Sequence, residues 1–168
     1  MNHARPTMTR RMNKIGKEKE GVQEPKSLQE YIQGKPSRVL RLIVEGLRST
    51  TQHADQKVYM GSFGETRNAM CYGCAATWAF QAFKGGKLTP AEAVDTRKRP
   101  IKDTFTFVSL FEASVDGIRC GGDPSSELEQ LTGVRLPLPD LPMLTTSAWF
   151  MSLPAYEKLA AKLEVQGL

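Results

Sequence analysis

The sequence predicts an all-α fold. It is read as a compact single domain, residues 27–168, of roughly six helices packed around a central buried helix at about 66–84. A disordered basic N-terminal arm, residues 1–26, precedes it. Three observations lead there. The stretch from Glu65 to Phe83 carries apolar or small side chains around most of a helical circumference, and a helix of that kind is buried on several sides. Segments before and after it repeat apolar residues at the three-to-four spacing of amphipathic helices, which need an apolar partner. No convincing strand flanks the central stretch.

Taken in order, residues 1–26 hold Ile15 and Val22 as their sole branched apolar side chains, too little to offset the entropy of fixing a conformation. Ser27 and Glu30 have the spacing of a capping box and open a short helix that Gly34 and Pro36 end. Ser37 is placed as the cap of a stronger helix, Arg38 to Arg48. There Val39, Leu40, Leu42, Ile43, Val44 and Leu47 face inward, and Arg38, Arg41, Glu45 and Arg48 face outward. Lys57 to Met60 suggests a short extended piece closed by Gly61, Ser62 and Gly64. The central helix stops at Gly85-Gly86. Thr89, Pro90 and Glu92 form a second capping box, and the helix they open ends before Pro100, with Arg97, Lys98, Arg99 and Lys102 around its end.

Asp103 or Thr104 starts a helix to about Arg119, with Phe107, Val108, Leu110 and Phe111 inside and Glu112 outside. Asp123-Pro124 opens a short helix to Leu131. The prolines of Val134 to Thr146 favour an extended strap across the surface. The last helix is expected to begin at Pro154, with Tyr156, Leu159, Ala160 and Leu163 on its inner side.

Charge is unevenly spread. The arm has seven cations against three carboxylates, an excess of four out of the chain's +5, so the folded body is close to neutral. That concentrates any electrostatic binding in Arg5, Arg10, Arg11, Lys14, Lys17 and Lys19, with spacings that could track a run of phosphates. No aromatic residue is interleaved among them for base stacking, so a protein partner is favoured over nucleic acid through residues 1–26. No run approaches a membrane span. Three cysteines are too few and too odd for a disulfide framework, and the expected location is the cytoplasm. No cofactor is expected.

The sharpest chemical feature is Cys71-Tyr72-Gly73-Cys74. Redox chemistry needs the first thiol at a helix N-terminus, where the dipole favours a thiolate. A helix capped by Asn68 would put Cys71 in its first turn; one capped by Thr66 would put both sulfurs deeper. A metal site would have to recruit Cys120, His53 or His3, none of which has a matching spacing, or be completed by Asp or Glu. His53 is also the plausible base for a cysteine nucleophile, with nothing in the spacing to bring it to Cys71 or Cys120. Small buried hydrophobes packed beside Gly73, Ala75 and Ala79 are the simpler role for Cys71 and Cys74. Glu65, Arg67 and Asn68, at the mouth of the central helix, form a possible polar site and serve more simply as its caps. The glycines at 61 and 64 lack the residues of a phosphate-binding loop. The expected function is a small interaction or accessory protein whose basic arm orders on a macromolecular partner. A thiol redox or metal-binding protein is the alternative, and an enzyme is disfavoured.

Overall fold

The computed structural model describes residues 28–60, 62, 64–95, 108, 111–113, 125–126, 129–130, 133, 135 and 141–168. The basic arm with Arg5, Arg10, Arg11, Lys14, Lys17 and Lys19, the cluster around Arg97–Lys102, and Cys120 lie outside those residues. So do most of the helices expected at 104–119 and 124–131. In chain order the described elements are α1 (Leu28–Ile32), α2 (Pro36–Ser49), a 3-10 turn (Thr50–Gln52), β1 (Gln56–Val58), β2 (Glu65–Arg67), β3 (Met70–Gly73), α3 (Ala75–Lys84), α4 (Pro90–Asp95) and α5 (Trp149–Val165). The all-α expectation is therefore wrong: the described residues form five helices and one small mixed sheet.

The correction falls on the central stretch itself. Residues 66–84 are not one helix; residues 65–73 are a β-hairpin and the helix starts at Ala75. Asn68 and Ala69 both have positive φ, 49° and 63°, the sign pattern of the two-residue turn that matches strand twist. Asn tolerates that region better than other non-glycine residues, so the chain reverses there instead of continuing as a helix. β3 then pairs on both sides. It runs antiparallel to β2 through Glu65↔Tyr72, Thr66↔Cys71 and Arg67↔Met70. It runs parallel to β1 through Gln56↔Cys71, Lys57↔Tyr72 and Val58↔Gly73. With β3 in the middle, Gln56 and Cys71 point to the core, while Lys57, Tyr72, Glu65 and Arg67 share the outer face.

α2 and α3 make the core. α2 buries Val39, Leu40, Leu42, Ile43, Val44 and Leu47 and packs against both α3 and α5. Gly46 permits the close approach: a Cβ there would lie 2.1 Å from the Trp78 carbonyl oxygen. Trp78 is fully buried, and its indole N–H donates to the Gly73 carbonyl at 2.7 Å, tying α3 to the strand before it. α3 ends at Gly85, whose φ of 73° is the left-handed cap. Thr89 and Glu92 form the expected capping box of α4: the Thr89 N–H donates to Glu92 Oε2 at 2.9 Å, and the Glu92 N–H to Thr89 Oγ1 at 3.3 Å.

Lys35, not Ser37, occupies the cap position of α2, and Pro36 takes the first helical position. The buried Ser37 hydroxyl instead donates to the Leu168 carbonyl. α5 starts at Trp149, five residues before the expected Pro154. Pro154 therefore lies inside α5, where it lacks the N–H that would bond the Phe150 carbonyl. Arg41 and Arg48, on the polar side of α2, reach across to α5. Arg41 makes a two-pronged pair with Glu164 at 2.7 Å on each arm, and Arg48 does the same with Glu157 at 2.5 and 2.8 Å.

Between α4 and α5, Phe111–Ala113 does not continue a helix. Glu112 pairs with Leu144 in an isolated parallel bridge, with the Ala113 N–H donating to Leu144 O at 2.8 Å and the Leu144 N–H to Phe111 O at 2.9 Å. Glu112, expected outside, is 1% exposed.

Candidate functional site

Cys71 and Cys74 sit at the junction where β3 runs into α3. Cys74 is the residue before the helix, in extended conformation with φ −82° and ψ 179°. Neither Thr66 nor Asn68 caps the helix, so both expected starts are corrected, and the thiol at the helix N-terminus is Cys74. That position alone would favour a thiolate. Burial opposes it and wins: Cys74 is 1% exposed, and its pKa is raised well above the ordinary range by burial first and by the Glu112 carboxylate second. Its sulfur is 3.7 Å from Thr77 Oγ1. Glu112 accepts a hydrogen bond from the Ala76 N–H at 3.3 Å, so the dipole's positive end serves a carboxylate instead of a sulfur.

Cys71 lies on the inner side of β3, and burial is again the main cause of its raised pKa, followed by the negative charge of Asp55. Its remaining electrostatic neighbours are Lys87 and Thr66. Both cysteines are free thiols. His53 acts on Asp55, whose pKa is lowered mainly by the hydrogen bond from Lys87. Among the described residues no group of three or more His, Cys, Asp or Glu is disposed to hold a metal ion. The arrangement suits thiols held protonated inside a core.

Next to them lies a buried amide network that the sequence did not signal. Gln56 Nε2 donates to Gln81 Oε1 at 2.7 Å, and Gln81 Nε2 donates to Gln56 Oε1 at 3.0 Å and to Ser49 Oγ at 2.7 Å. The Leu88 N–H adds a bond to Gln81 Oε1 at 2.9 Å. One glutamine thus joins α2, β1, α3 and the chain entering α4. Among the described residues no buried side-chain nitrogen or oxygen lacks a partner, which marks the network as structural.

Glu65, Arg67 and Asn68 lie on a hairpin and not at a helix mouth: Glu65 and Arg67 are brought together, and Asn68 is in the turn. Arg67 Nη2 pairs with Glu65 Oε1 at 2.6 Å. The guanidinium carbon lies 5.6 Å from the Tyr72 ring centre and 6.0 Å from that of Tyr59. Tyr59 and Tyr72 were not among the expected site residues. A period of two across Lys57, Tyr59 and across Glu65, Arg67 was the available signal, hidden by the helical reading of residues 65–73.

The second missed surface is the start of α5. Phe150 is 58% exposed and Met151 73% exposed, two of the four large apolar side chains left exposed among the described residues. Trp149 stands edge-on to Phe150 at 6.0 Å and packs on the core. Among the described residues no helix is long and apolar enough to cross a membrane. Comparison with known proteins finds no matching family, no matching curated protein and no matching solved structure.

Proposed function

We propose that this chain is a small cytoplasmic interaction protein that binds a protein partner through the start of α5, with the basic arm adding charge attraction. The observation that carries this reading is the adjacent pair Phe150 and Met151, held out into solvent at 58% and 73% exposure on a helix anchored by Trp149. Aromatic residues and Met are enriched in the cores of protein interfaces, and leaving two of them in water has a cost that binding removes. The burial of Cys71 and Cys74 supports binding over thiol chemistry, because a protonated, enclosed sulfur is a poor nucleophile and a poor ligand.

In-cell crosslinking of the full chain, read by mass spectrometry, tests the proposal against a Phe150→Asp/Met151→Asp variant and against a variant with Arg10, Arg11 and Lys14 changed to Gln. A defined partner crosslinked near residues 149–151 in the wild type, lost in the aspartate variant and weakened in the arm variant, is the expected result. An identical set of crosslinked proteins in wild type and aspartate variant overturns the reading, as does a wild type that crosslinks to nothing.

A further inference from the structure

The outer face of the sheet presents Lys57, Tyr59, Glu65, Arg67 and Tyr72. Lys57 and Tyr72 are register partners on β1 and β3, and Glu65 is the partner of Tyr72 on β2. Arg67, on the far strand, lies across the face and reaches both tyrosine rings, so the two rings are neighbours around one guanidinium. Its side chain is nevertheless 61% exposed. Lys57 is exposed and both tyrosines are half-buried, which holds the rings in place while leaving part of each in solvent.

We propose that this face binds single-stranded nucleic acid, with bases stacking on Tyr59 and Tyr72 and the backbone phosphates meeting Arg67 and Lys57. Rings held on β3 and just past the end of β1 accept any base, because every base has a π-face. A duplex keeps its bases stacked inside and cannot use such rings. Arg67 is suited to exchange partners: its contact with Glu65 is an exposed ion pair of small worth, and a guanidinium pairs with phosphate through the same fork it offers a carboxylate. Charge favours the same ligand. The face carries two cations, Lys57 and Arg67, against one carboxylate, Glu65. This inference uses different side chains from the start of α5 and stands without the protein-binding reading.

Fluorescence anisotropy with the full chain tests it. The probes are labelled (dT)20, U20, an abasic 20-mer with the same number of phosphates, and a 20-base-pair duplex. A polyglutamate peptide serves as the competing acidic polymer. The single strands are expected to bind more tightly than the abasic and duplex probes. Tyr72→Ala and Tyr59→Ala should each weaken (dT)20 binding by about 5- to 150-fold while leaving abasic binding unchanged. Tyr72→Phe keeps the ring and should bind like the wild type. Arg67→Ala should lower the slope of log affinity against log salt by about one. Where an alanine variant fails to fold, Tyr59→Leu and Tyr72→Leu keep an apolar body on the sheet and remove the π-face. Equal affinity for (dT)20 and the abasic probe, leucine or alanine variants that bind (dT)20 like the wild type, or displacement by polyglutamate at equal charge concentration each overturns the proposal in favour of charge alone. So does the absence of binding.

Discussion

At the scale of single residues, the molecule opposes two effects on the same sulfur, and burial decides. Cys74 stands where a helix dipole would activate it, but the site is closed, and Glu112 rather than the thiol receives the Ala76 N–H. Both thiols should therefore resist iodoacetamide at pH 7.5 in the folded protein and react within minutes once urea unfolds it. Rapid native modification of either, seen by peptide mass mapping, would contradict the buried positions. The cysteines' role as core residues was readable from their apolar neighbours Ala75, Trp78 and Ala79. Which one lies next to the helix was not, because that depends on a strand that composition alone did not reveal. Glu112 was misplaced for a related reason. A helical wheel puts it outside, while the bridge to Leu144 turns the local chain and takes it inside.

At the scale of elements, the hairpin is the clearest test of why the helical reading failed. Residues 65–73 satisfy a helical period by composition, but Asn68 and Ala69 adopt left-handed conformations and the flanking residues pair with a period of two. Asn-Gly is the usual signature of this turn, and Ala where Gly is expected concealed it. Ala69 is strained at φ 63°, so Ala69→Gly should stabilise the protein by about 0.5–1 kcal/mol, after allowing for the greater freedom of Gly in the unfolded chain. Urea denaturation measures it; a loss of stability would argue against the turn. The contact between α2 and α3 makes the opposite prediction. A methyl group at Gly46 would meet the Trp78 carbonyl and the Ala79 nitrogen at 2.1 and 2.5 Å, both rigid backbone atoms, so Gly46→Ala should cost about 1–3 kcal/mol or more. α2 itself was legible, since nine of its residues are buried and the apolar ones are those that the spacing selects. The early start of α5 was not, because Pro154 resembles a helix beginning, while Ala148 at the true cap position offers no side-chain cap.

At the scale of the whole molecule, several long-range ties are surface ion pairs that join distant parts of the chain. Arg41–Glu164 and Arg48–Glu157 hold α5 on α2, Lys84–Glu92 joins α3 to α4, and Lys87–Asp55 ties the loop after α3 to β1. Hydrogen bonds from the partner cations lower the carboxyl pKa of Glu92 to about 2 and also depress those of Glu164 and Asp55. A carboxyl group whose folded pKa is depressed stabilises the fold above its unfolded pKa, and that contribution is lost as pH falls through the folded value. Stability should therefore hold steady above roughly pH 5 and decline as the pH falls to about 2. The decline should be shallower in 1 M salt, because exposed pairs are screened. Urea midpoints measured across that range check it, and a profile independent of pH would exclude these pairs as contributors.

The position of α2 between α3 and α5 also sets an order of events during synthesis. α2 ends at Ser49 and α5 begins at Trp149. At about 5–20 residues per second, one flank of the apolar face of α2 waits about 5–20 s on the ribosome before its cover has been made. α3 emerges much sooner, so the nascent chain first docks one helix pair and carries an open hydrophobic stripe until the last helix arrives. A chaperone that recognises exposed leucine and valine would find its binding site on this protein in that interval, and a chain truncated before Trp149 would keep it.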